Sequence, residues 1–424
     1  MAKSYRGGIP FARKYAPPGG VAKYVPERIF LSLNNGAECT LNEGDEIKKY
    51  EKIIGASENS PAVFAGVGGK VEHIYRIGSR VDITLLTDEN AEATPPFDAP
   101  EKGISELSEC ELRALLLERG ITPPKKGRRE VRCLTVDCSA SPYNDSRLFI
   151  CRSFPEKIVL GAKILMKLIG ARSCNFAIPR SDLNAAECVY GAIPKKSEMF
   201  KVVLIKDKLP ASVPNLTVSA VTGTEINAAK DVFDSGYPVV SPLLCLACYR
   251  ALVDGIPFCE GYVTVAELGG EVDVFRLPFG APLKAVAAPR ENERVIRAEN
   301  LYGAEISGET MTERTEALAV MPALPTKEGV ALECIGCRRC TDVCPALISP
   351  IGIFSALEKD ECAPIVLTAA GCFECRSCTY ICPSDIPLAE SIIKFRRDSG
   401  LTAVDTDRGD TDYYDDTEVT ENER

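Results

Sequence analysis

The sequence is poor in residues and patterns that several protein classes need. It contains no tryptophan and one histidine, His73, so it lacks the ligands for a Rieske or haem centre of its own. Its richest apolar run, residues 158–171, is interrupted by Lys163 and Lys167 and is shorter than the roughly 18 to 20 residues of a membrane helix. The basic N-terminus has no apolar core and does not predict a secretory signal. We therefore expect a cytoplasmic chain without a transmembrane segment.

Charge is also scarce outside the C-terminal tail. The formal net charge is −10, but residues 398–424 hold ten Asp or Glu and two Arg, which gives −8 and leaves about −2 for the rest (−10 minus −8). This balance gives no argument for nucleic acid, and we expect no nucleic-acid partner. The tail, residues 397–424, cannot bury enough apolar surface to order itself and is predicted to be disordered.

The length of 424 residues predicts several domains, and the residue pattern changes along the chain. Residues 28–74 alternate short β-rich runs with Gly and Asn, which predicts a small all-β domain. The GVGG stretch at 66–69 precedes the strand-like KVEHIY. We therefore interpret it as a hairpin turn rather than a phosphate loop, which a helix would have to follow. A short helix is predicted around residues 106–120, after a Pro-rich linker.

Further along, strand-like and helix-like segments alternate over residues 131–205, which predicts an α/β unit with a parallel sheet. Pro155 near the start and Gly170 at the end mark the limits of the first long helix in this unit. Residues 262–286 carry period-2 runs joined by a Gly-Gly turn, and they predict a small β-grasp-like module.

Two copies of one cysteine motif supply the candidate metal ligands. Residues 334–345 read CIGCRRCTDVCP and residues 372–383 read CFECRSCTYICP, both with the spacing CxxCxxCxxxCP. Each iron of a cubane cluster needs one thiolate; in this motif three sulfurs face one cluster and the fourth ligand comes from the other motif. We therefore predict two [4Fe–4S] clusters in a ferredoxin-like domain. The predicted ligands of the first cluster are Cys334, Cys337, Cys340 and Cys382. Those of the second are Cys372, Cys375, Cys378 and Cys344.

Other interpretations of the cysteines remain. A pair of tetrahedral zinc sites also uses CxxC pairs, but it leaves the CxxCxxC triplet and the trailing Pro345 and Pro383 without a reason. Cys362, between the motifs, is predicted to be a packed or exposed thiol. Cys245 and Cys248 form another CxxC, but their surroundings have the composition of a buried helix, so we expect no third metal site there.

The order of these modules resembles the RnfC family, the peripheral NADH-side component of the Rnf complex, a membrane-bound, ion-translocating NADH:ferredoxin oxidoreductase. The similar segments are YRGGIPF at 5–11, LNEGDEIKKYEKIIGAS, GKVEHI, GAKILMKLIGA, YRALVDGIPFCEGYVTVAE, LPFGAPL and both cysteine motifs. The resemblance implies a multidomain α/β and β architecture. Its parts would be a barrel-sandwich domain, a Rossmann-like α/β domain for flavin and NADH, a β-grasp (SLBB-like) module, a dicluster ferredoxin-like domain and the tail, at 1–98, 99–261, 262–324, 325–396 and 397–424.

The sequence departs from this family where the flavin would bind. The family's glycine-rich GGAGFPT loop, whose backbone N–H groups approach phosphate, corresponds here to ERGITPPKKGRRE at 118–130, with Gly120 and Pro123 or Pro124 as remnants. An alternative is that a run of basic residues replaces the glycines as a phosphate clamp, although such a run is more often a solvated loop or a docking surface. The residues of this run are Lys125, Lys126, Arg128 and Arg129.

A second family motif, NGAECEPY at the carboxyl edge of a strand, corresponds to VDCSASPY at 136–143. Pro142 and Tyr143 match, but Ser139 and Ser141 replace two glutamates. Because this edge is where open α/β sheets bind ligands, we expect FMN and NADH to bind weakly or not at all.

Three functions are compatible with these patterns. The expected one is an electron-transfer subunit of an oxidoreductase complex, peripheral on the cytoplasmic face of the cell membrane, which relays electrons through both clusters. Its partners would be other redox subunits of the complex, with a ferredoxin or flavoprotein as donor or acceptor. The second is an active NADH dehydrogenase subunit with FMN that feeds electrons to ferredoxin. The third is a non-redox docking scaffold whose clusters are structural.

Overall fold

The computed structural model describes residues 2–12, 20–33, 39–58, 60–78, 80–100, 102–125, 127–139, 141–210, 213–267, 272–298, 305–322, 331–359 and 363–401. Lys126, Cys362 and the tail beyond Leu401 lie outside these residues, so what the sequence predicts for them stays a prediction. Among the described residues, no helix combines the length and the apolar character that crossing a membrane requires.

The described elements form a strand-rich part, an alternating part, a second strand-rich part and a helical part along the chain. The N-terminal part contributes strands: β1 Ile9–Pro10, β2 Val21–Lys23, β3 Arg28–Leu33, β4 Glu46–Ile47, β5 Lys52–Ile54, β6 Val63–Phe64, β7 Gly69–Ile77 and β8 Arg80–Thr87. The central part alternates: α1 Glu109–Glu118, β9 Leu134–Asp137, α2 Ser146–Ser153, α3 Pro155–Ile169, β10 Cys174–Pro179, α4 Leu183–Ala192, β11 Phe200–Ile205, β12 Lys208–Leu209, α5 Pro214–Thr222, β13 Val239–Val240 and α6 Pro242–Leu252. Strands return as β14 Glu260–Glu267, β15 Val272–Pro278, β16 Glu293–Arg297 and β17 Ala317–Pro322. The last part is helical: α7 Arg339–Asp342, α8 Pro350–Glu358, α9 Pro364–Leu367, α10 Ser377–Tyr380 and α11 Leu388–Asp398.

The N-terminal strands form antiparallel sheets, within the all-β part that the sequence predicts. Strands β3, β8, β7 and β4 lie side by side in that order, and β5 pairs with β6. Because successive strand residues point to opposite faces, β3 buries Ile29, Leu31 and Leu33 and exposes Phe30 and Ser32. The buried face packs into one hydrophobic core with residues of β14, β15 and β17.

The glycines at 66–69 precede a strand, as predicted, but the prediction of a hairpin turn is wrong. Strand β6 pairs with β5, whereas β7 pairs with β4 and β8, so the segment connects two sheets. A Cβ on Gly66 would lie 2.6 Å from the carbonyl oxygen of Cys259, and one on Gly69 would lie 2.0 Å from that of Leu86. Glycine is required here because other backbone segments pass too close for a side chain, and turn chemistry alone does not reveal that.

The central part is an α/β unit with a parallel sheet, as predicted. The strand order is β11, β10, β9, β13, and every neighbouring pair is parallel. Helix α3 has Pro155 at its first position and ends at Gly170, whose φ of 73° is the left-handed conformation that glycine adopts readily. Helix α2 was not predicted from the sequence. It is stabilised mainly by tertiary burial, since Leu148, Phe149 and Ile150 all lie in the core.

Strands β14 to β17, which form the third, β-rich part of the chain, build a mixed sheet with β2. The strand order is β16, β17, β14, β15, β2. Strands β14 and β15 are antiparallel, as predicted, while the Gly-Gly turn between them lies outside the described residues. Buried ion pairs fasten this sheet to the α/β unit. Arg147 at the start of α2 donates to the carboxylate of Asp137 at 2.7 Å and to that of Glu316 at 2.8 Å.

The N-terminal segment, residues 2–12 with strand β2, contacts parts of the chain that are distant in sequence. Strand β2 pairs in parallel with β15, and β1 pairs with β12 beside the parallel sheet. Lys3 extends this contact, because its backbone N–H donates to the carbonyl of Leu204 at 2.8 Å. The N-terminal segment therefore joins modules that the sequence suggests are separate. The predicted domain boundaries stay predictions.

Candidate iron–sulfur site

The two cysteine motifs fold as two copies of one unit, offset by 38 residues (372 minus 334). Helices α7 and α10 begin at Arg339 and Ser377, and α8 and α11 begin at Pro350 and Leu388, each pair with that same offset. Left-handed backbone residues recur in matching pairs: Gly336 and Glu374, Arg338 and Arg376, Leu347 and Asp385. The repeat in the sequence is thus a repeat in backbone conformation.

The left-handed residues turn backbone N–H groups towards cysteine sulfur. The N–H of Gly336 donates to Cys334 Sγ at 3.4 Å, and the N–H of Glu374 donates to Cys372 Sγ at 3.3 Å. Consecutive N–H groups in such a conformation form a concave site for anions. A thiolate bound to iron is anionic, and hydrogen bonds to it are one of the means by which proteins set cluster potentials.

The structure gathers the eight motif cysteines around two cavities. The first cavity, of about 290 Å³, is lined by the cysteines Cys334, Cys337, Cys340 and Cys382. The second, of about 20 Å³, is lined by the cysteines Cys344, Cys372, Cys375 and Cys378. Each set takes three cysteines from one motif and one from the other, and these are the two sets that the crossed rule predicts.

The two cysteine sets differ in exposure. Cys334 and Cys337 are exposed, whereas Cys344 and Cys378 of the second set are buried. Beside the first cavity, the side chains of Leu332 and Ile335 are 68% and 71% exposed. The first set is therefore the more exposed one, although its Cys340 is buried, and the second set has two buried and two half-buried cysteines.

Burial changes the acidity of the second set. It raises the pKa of Cys344, although backbone N–H groups of residues 346–348 act in the opposite direction. Burial also raises the pKa of Cys372 to about 12, against the N–H of Glu374, and it raises the pKa of Cys378. These thiols hold their protons when no metal is bound, so loading of a metal group must release protons.

The donor chemistry of both sets fits a [4Fe–4S] cluster. Four sulfurs surround each cavity, apolar side chains including Ile386 and Leu388 pack against the buried cysteines, and backbone N–H groups reach sulfur. Within the described ranges, no group of three or more His, Cys, Asp or Glu closes around a single metal ion. In a cubane cluster the thiolates stand around a multi-atom core, each on its own iron, and the first cavity, of about 290 Å³, has room for such a core.

The N-terminal segment lies directly against the second set, a contact that the sequence did not predict. The N–H of Gly8 donates to the carbonyl of Val343 at 2.8 Å. Gly7 has a φ of 63°, and a Cβ there would lie 2.6 Å from the carbonyl oxygen of Cys344. Burial, and then the nearby Cys375, raise the pKa of Tyr5. The adjacent glycines of YRGGIPF signal a close approach, but nothing in the sequence shows which segment approaches.

The residues matched to the flavin loop lie elsewhere and serve packing. Gly120 follows α1 with a φ of 84°, and a Cβ there would lie 3.0 Å from the carbonyl oxygen of Phe258. Pro123 is buried, and the carbonyl of Pro124 accepts a hydrogen bond from Arg113 at 3.0 Å. Among the basic residues of this loop, Arg128 and Arg129 are exposed, and the N–H of Arg128 donates to Asp234 at 3.1 Å.

The three residues at the predicted carboxyl edge are engaged within the fold. The N–H of Ser139 donates to the carboxylate of Asp137 at 3.0 Å. The hydroxyl of Ser141 donates to the carbonyl of Ala298 at 2.7 Å, and Tyr143 packs against Ala298 and its neighbours. Ser141 and Tyr143 therefore attach the α/β unit to the third β-rich part.

The carboxyl edge of the parallel sheet is covered by the N-terminal segment. The ammonium group of Lys208 donates to the carbonyl of Gly7 at 2.7 Å, and burial lowers its pKa. The hydroxyl of Tyr5 donates to the carbonyl of Pro210 at 3.0 Å. A cavity of about 10 Å³ remains between Tyr5, Ser139 and Pro179. The segment thus lies over the edge at which open α/β sheets bind ligands.

The other CxxC lies on a buried helix, as predicted. Cys245 and Cys248 belong to α6 and are fully buried in the main hydrophobic core. Burial raises the pKa of Cys248 to about 12 and also raises that of Cys245. Both therefore pack as small apolar residues.

The chain is similar in sequence to a known domain family and to known proteins. Residues 333–386 match the family model of the 4Fe-4S dicluster domain. The chain is 24% identical over 405 residues to the C subunit of the Na(+)-translocating ferredoxin:NAD(+) oxidoreductase complex of Acetobacterium woodii, over 85% of this chain and 89% of that protein. It is 24% identical over 357 residues to the C subunit of the ion-translocating oxidoreductase complex of Buchnera aphidicola subsp. Acyrthosiphon pisum, over 77% of this chain and 74% of that protein. These relatives confirm the resemblance to the RnfC family.

Among solved structures, similarity is weaker. A chain of the NAD+-reducing [NiFe]-hydrogenase in the H2-reduced state gives a TM-score of 0.44 at 11% identity, over 71% of this chain and 63% of that one. A likeness at this level supports no conclusion about function.

Proposed function

We propose that the chain relays electrons through two [4Fe–4S] clusters as the peripheral, RnfC-like component of an ion-translocating oxidoreductase complex. The observation that carries this proposal is the crossed assembly of the eight motif cysteines around two cavities. Four thiolates drawn from both motifs are what a dicluster domain needs, because neither motif supplies a complete set alone. The relatives from ion-translocating complexes, which align with most of the chain, support the assignment to such a complex.

The proposed ligands divide into the two sets described above. Cys334, Cys337, Cys340 and Cys382 would hold the first cluster. Cys344, Cys372, Cys375 and Cys378 would hold the second. When bound, each cluster supplies a site that gains and loses one electron. The chain's own residues hold the clusters, donate N–H groups to the thiolates and keep water from the second cluster.

We infer that electrons are exchanged with external partners at the first set. Support comes from the exposure of Cys334 and Cys337 and from the exposed apolar side chains of Leu332 and Ile335 beside them. A ferredoxin or flavoprotein would dock at this surface. The second set is less exposed and lies against the N-terminal segment, so we infer that it exchanges electrons through the first set.

The remaining modules are proposed to serve docking. We infer a barrel-sandwich domain at the N-terminus, a Rossmann-like α/β domain without FMN or NADH chemistry, and an SLBB-like module at 262–324. The coverage of the carboxyl edge by the N-terminal segment supports the absence of nucleotide chemistry, since Tyr5 and Gly7 lie where a ligand would enter. Docking would place the chain on the other redox subunits, at the cytoplasmic face of the membrane.

A redox titration of the anaerobically purified protein separates the relay from a structural scaffold. Dithionite and mediators set the solution potential while EPR follows the clusters, and oxidised ferredoxin is then added. For a relay, we expect both clusters to be reduced reversibly within the potential range of ferredoxins and to be reoxidised by the added acceptor. Clusters that are present but stay oxidised throughout would favour the scaffold.

A further inference from the structure

The two halves of the dicluster region differ in charge at one equivalent position. The offset of 38 residues that relates the motifs also relates Glu358, at the end of α8, to Arg396, on α11 (396 minus 358). Glu358 is exposed, whereas the side chain of Arg396 is 1% exposed and is among the largest fully buried side chains of the protein. A buried cation therefore stands in the second half where the first half has an exposed anion.

Arg396 is directed at the loop that carries the first ligand of the second set. Its Nη1 donates to the carbonyl oxygen of Cys372 at 3.0 Å and also contacts the carboxylate of Glu374. Its Nε donates to the carbonyl of Leu401 at 3.3 Å. Its Nη2 is buried without a hydrogen-bond partner among the described residues. Burying a charged donor without a full set of partners is costly, so this position needs a reason.

The electrostatics give that reason. Reduction adds one negative charge to a cluster, and a guanidinium, which keeps its positive charge in proteins, favours that gain. A buried charge is screened by salt much less than an exposed one. Arg397, the next residue on the same helix, is exposed and carries the same charge, so its effect on the cluster is expected to be small.

We propose that Arg396 tunes the second cluster by favouring its reduced state, while Glu374 partly offsets that effect. The inference rests on the proposed function, because it needs a cluster on the second set. In the step concerned, one electron from a one-electron donor enters the cluster, and no bond or proton is exchanged. The first cluster, whose equivalent position holds the exposed Glu358, lacks this bias.

The test removes each charge of the Arg396–Glu374 ion pair in turn, because the two changes should shift the reduction of the second cluster in opposite directions. Arg396→Gln removes the cation and Glu374→Gln removes the anion, and Arg397→Gln is the matched control for an exposed charge on the same helix. Each full-length protein is purified anaerobically and titrated with dithionite and mediators while EPR resolves the two clusters. Arg396→Lys, which keeps the charge, is the conservative variant.

At a fixed potential, Arg396→Gln is expected to lower the ratio of reduced to oxidised second cluster about tenfold, which is about 59 mV for one electron. Glu374→Gln is expected to raise that ratio, Arg396→Lys to stay closer to wild type than Arg396→Gln, and Arg397→Gln to change little. The first cluster should not shift. Shifts of the same sign in Arg396→Gln and Glu374→Gln, or none in either, would overturn the inference, because a purely structural role does not reverse sign with charge. A wild-type protein without a reducible second cluster would instead refute the proposed function.

If the Arg396→Gln protein fails to assemble the second cluster, the Glu374→Gln protein alone tests the inference. The side chain of Glu374 is 38% exposed, and the N–H that reaches Cys372 Sγ belongs to the backbone and survives the change. An upward shift confined to the second cluster supports the inference, and no shift contradicts it.

Discussion

Two cysteines, Cys344 and Cys382, link the two halves of the dicluster region. Each follows its own CxxCxxC triplet in sequence but lies at the cavity of the other triplet. Loss of either should therefore damage the cluster whose other ligands belong to the distant motif. The crossing thus assigns the fourth ligand of each cluster to the motif that holds the other cluster.

Cys344→Ala is expected to remove the second cluster and leave the first. Iron per chain should fall by about half, because each cluster holds four irons. Iron analysis with EPR of the dithionite-reduced protein measures this. Cys382→Ala is the matched variant and should remove the first cluster instead. Loss of the same cluster in both variants would contradict the crossed assignment.

The element that the sequence predicted least well is the N-terminal segment. It pairs with β12 and β15, lies over the carboxyl edge of the parallel sheet and contacts the second cysteine set through Gly7 and Gly8. The segment thus covers both the carboxyl edge of the parallel sheet and one side of the second cysteine set. Gly7 and Gly8 are required because other backbone segments approach them closely.

Gly7→Ala should therefore disturb the second cluster, although Gly7 lies far from both cysteine motifs in the sequence. A left-handed φ costs a residue with a side chain about 1 to 2 kcal/mol, and the added Cβ would also collide with the carbonyl of Cys344. We expect the second cluster to bleach several-fold faster in air while the first is unchanged, as followed by absorbance and EPR. Gly20→Ala is the control, because a Cβ there meets nothing within 4 Å. Equal bleaching rates in both variants would show that the contact does not protect the cluster.

Local patterns predicted those elements whose signals lie within a few residues. The caps of α3, the β-rich character of residues 28–74 and the parallel sheet were predicted from local patterns, and the grouping of the cysteines follows from their spacing. Long-range contacts were not predictable in this way. Helix α2 depends on tertiary burial, the glycines at 66–69 depend on backbones from distant segments, and the placement of Ser141 against Ala298 depends on how two modules pack.

For the whole molecule, we predict a protein that docks on a membrane complex through its other modules. We expect it to remain with membranes isolated without detergent and to leave them during salt and alkaline washes, because the proposed attachment is docking on other subunits of the complex. A tagged protein in its native host, with crosslinking before the wash, measures both release and partners. Integral redox subunits should appear among the crosslinked proteins. Complete recovery in the cytosol without a membrane partner would indicate a free carrier instead.

The central claim is that this chain holds two iron–sulfur clusters and no flavin. Anaerobic purification followed by analysis of iron, acid-labile sulfide, zinc and FMN tests it most directly. We predict about eight irons and eight sulfides per chain, four of each for every cluster, with FMN far below one per chain. Stoichiometric zinc in place of iron would contradict the cluster assignment, and near-stoichiometric FMN with clusters that NADH reduces would contradict the relay without nucleotide chemistry.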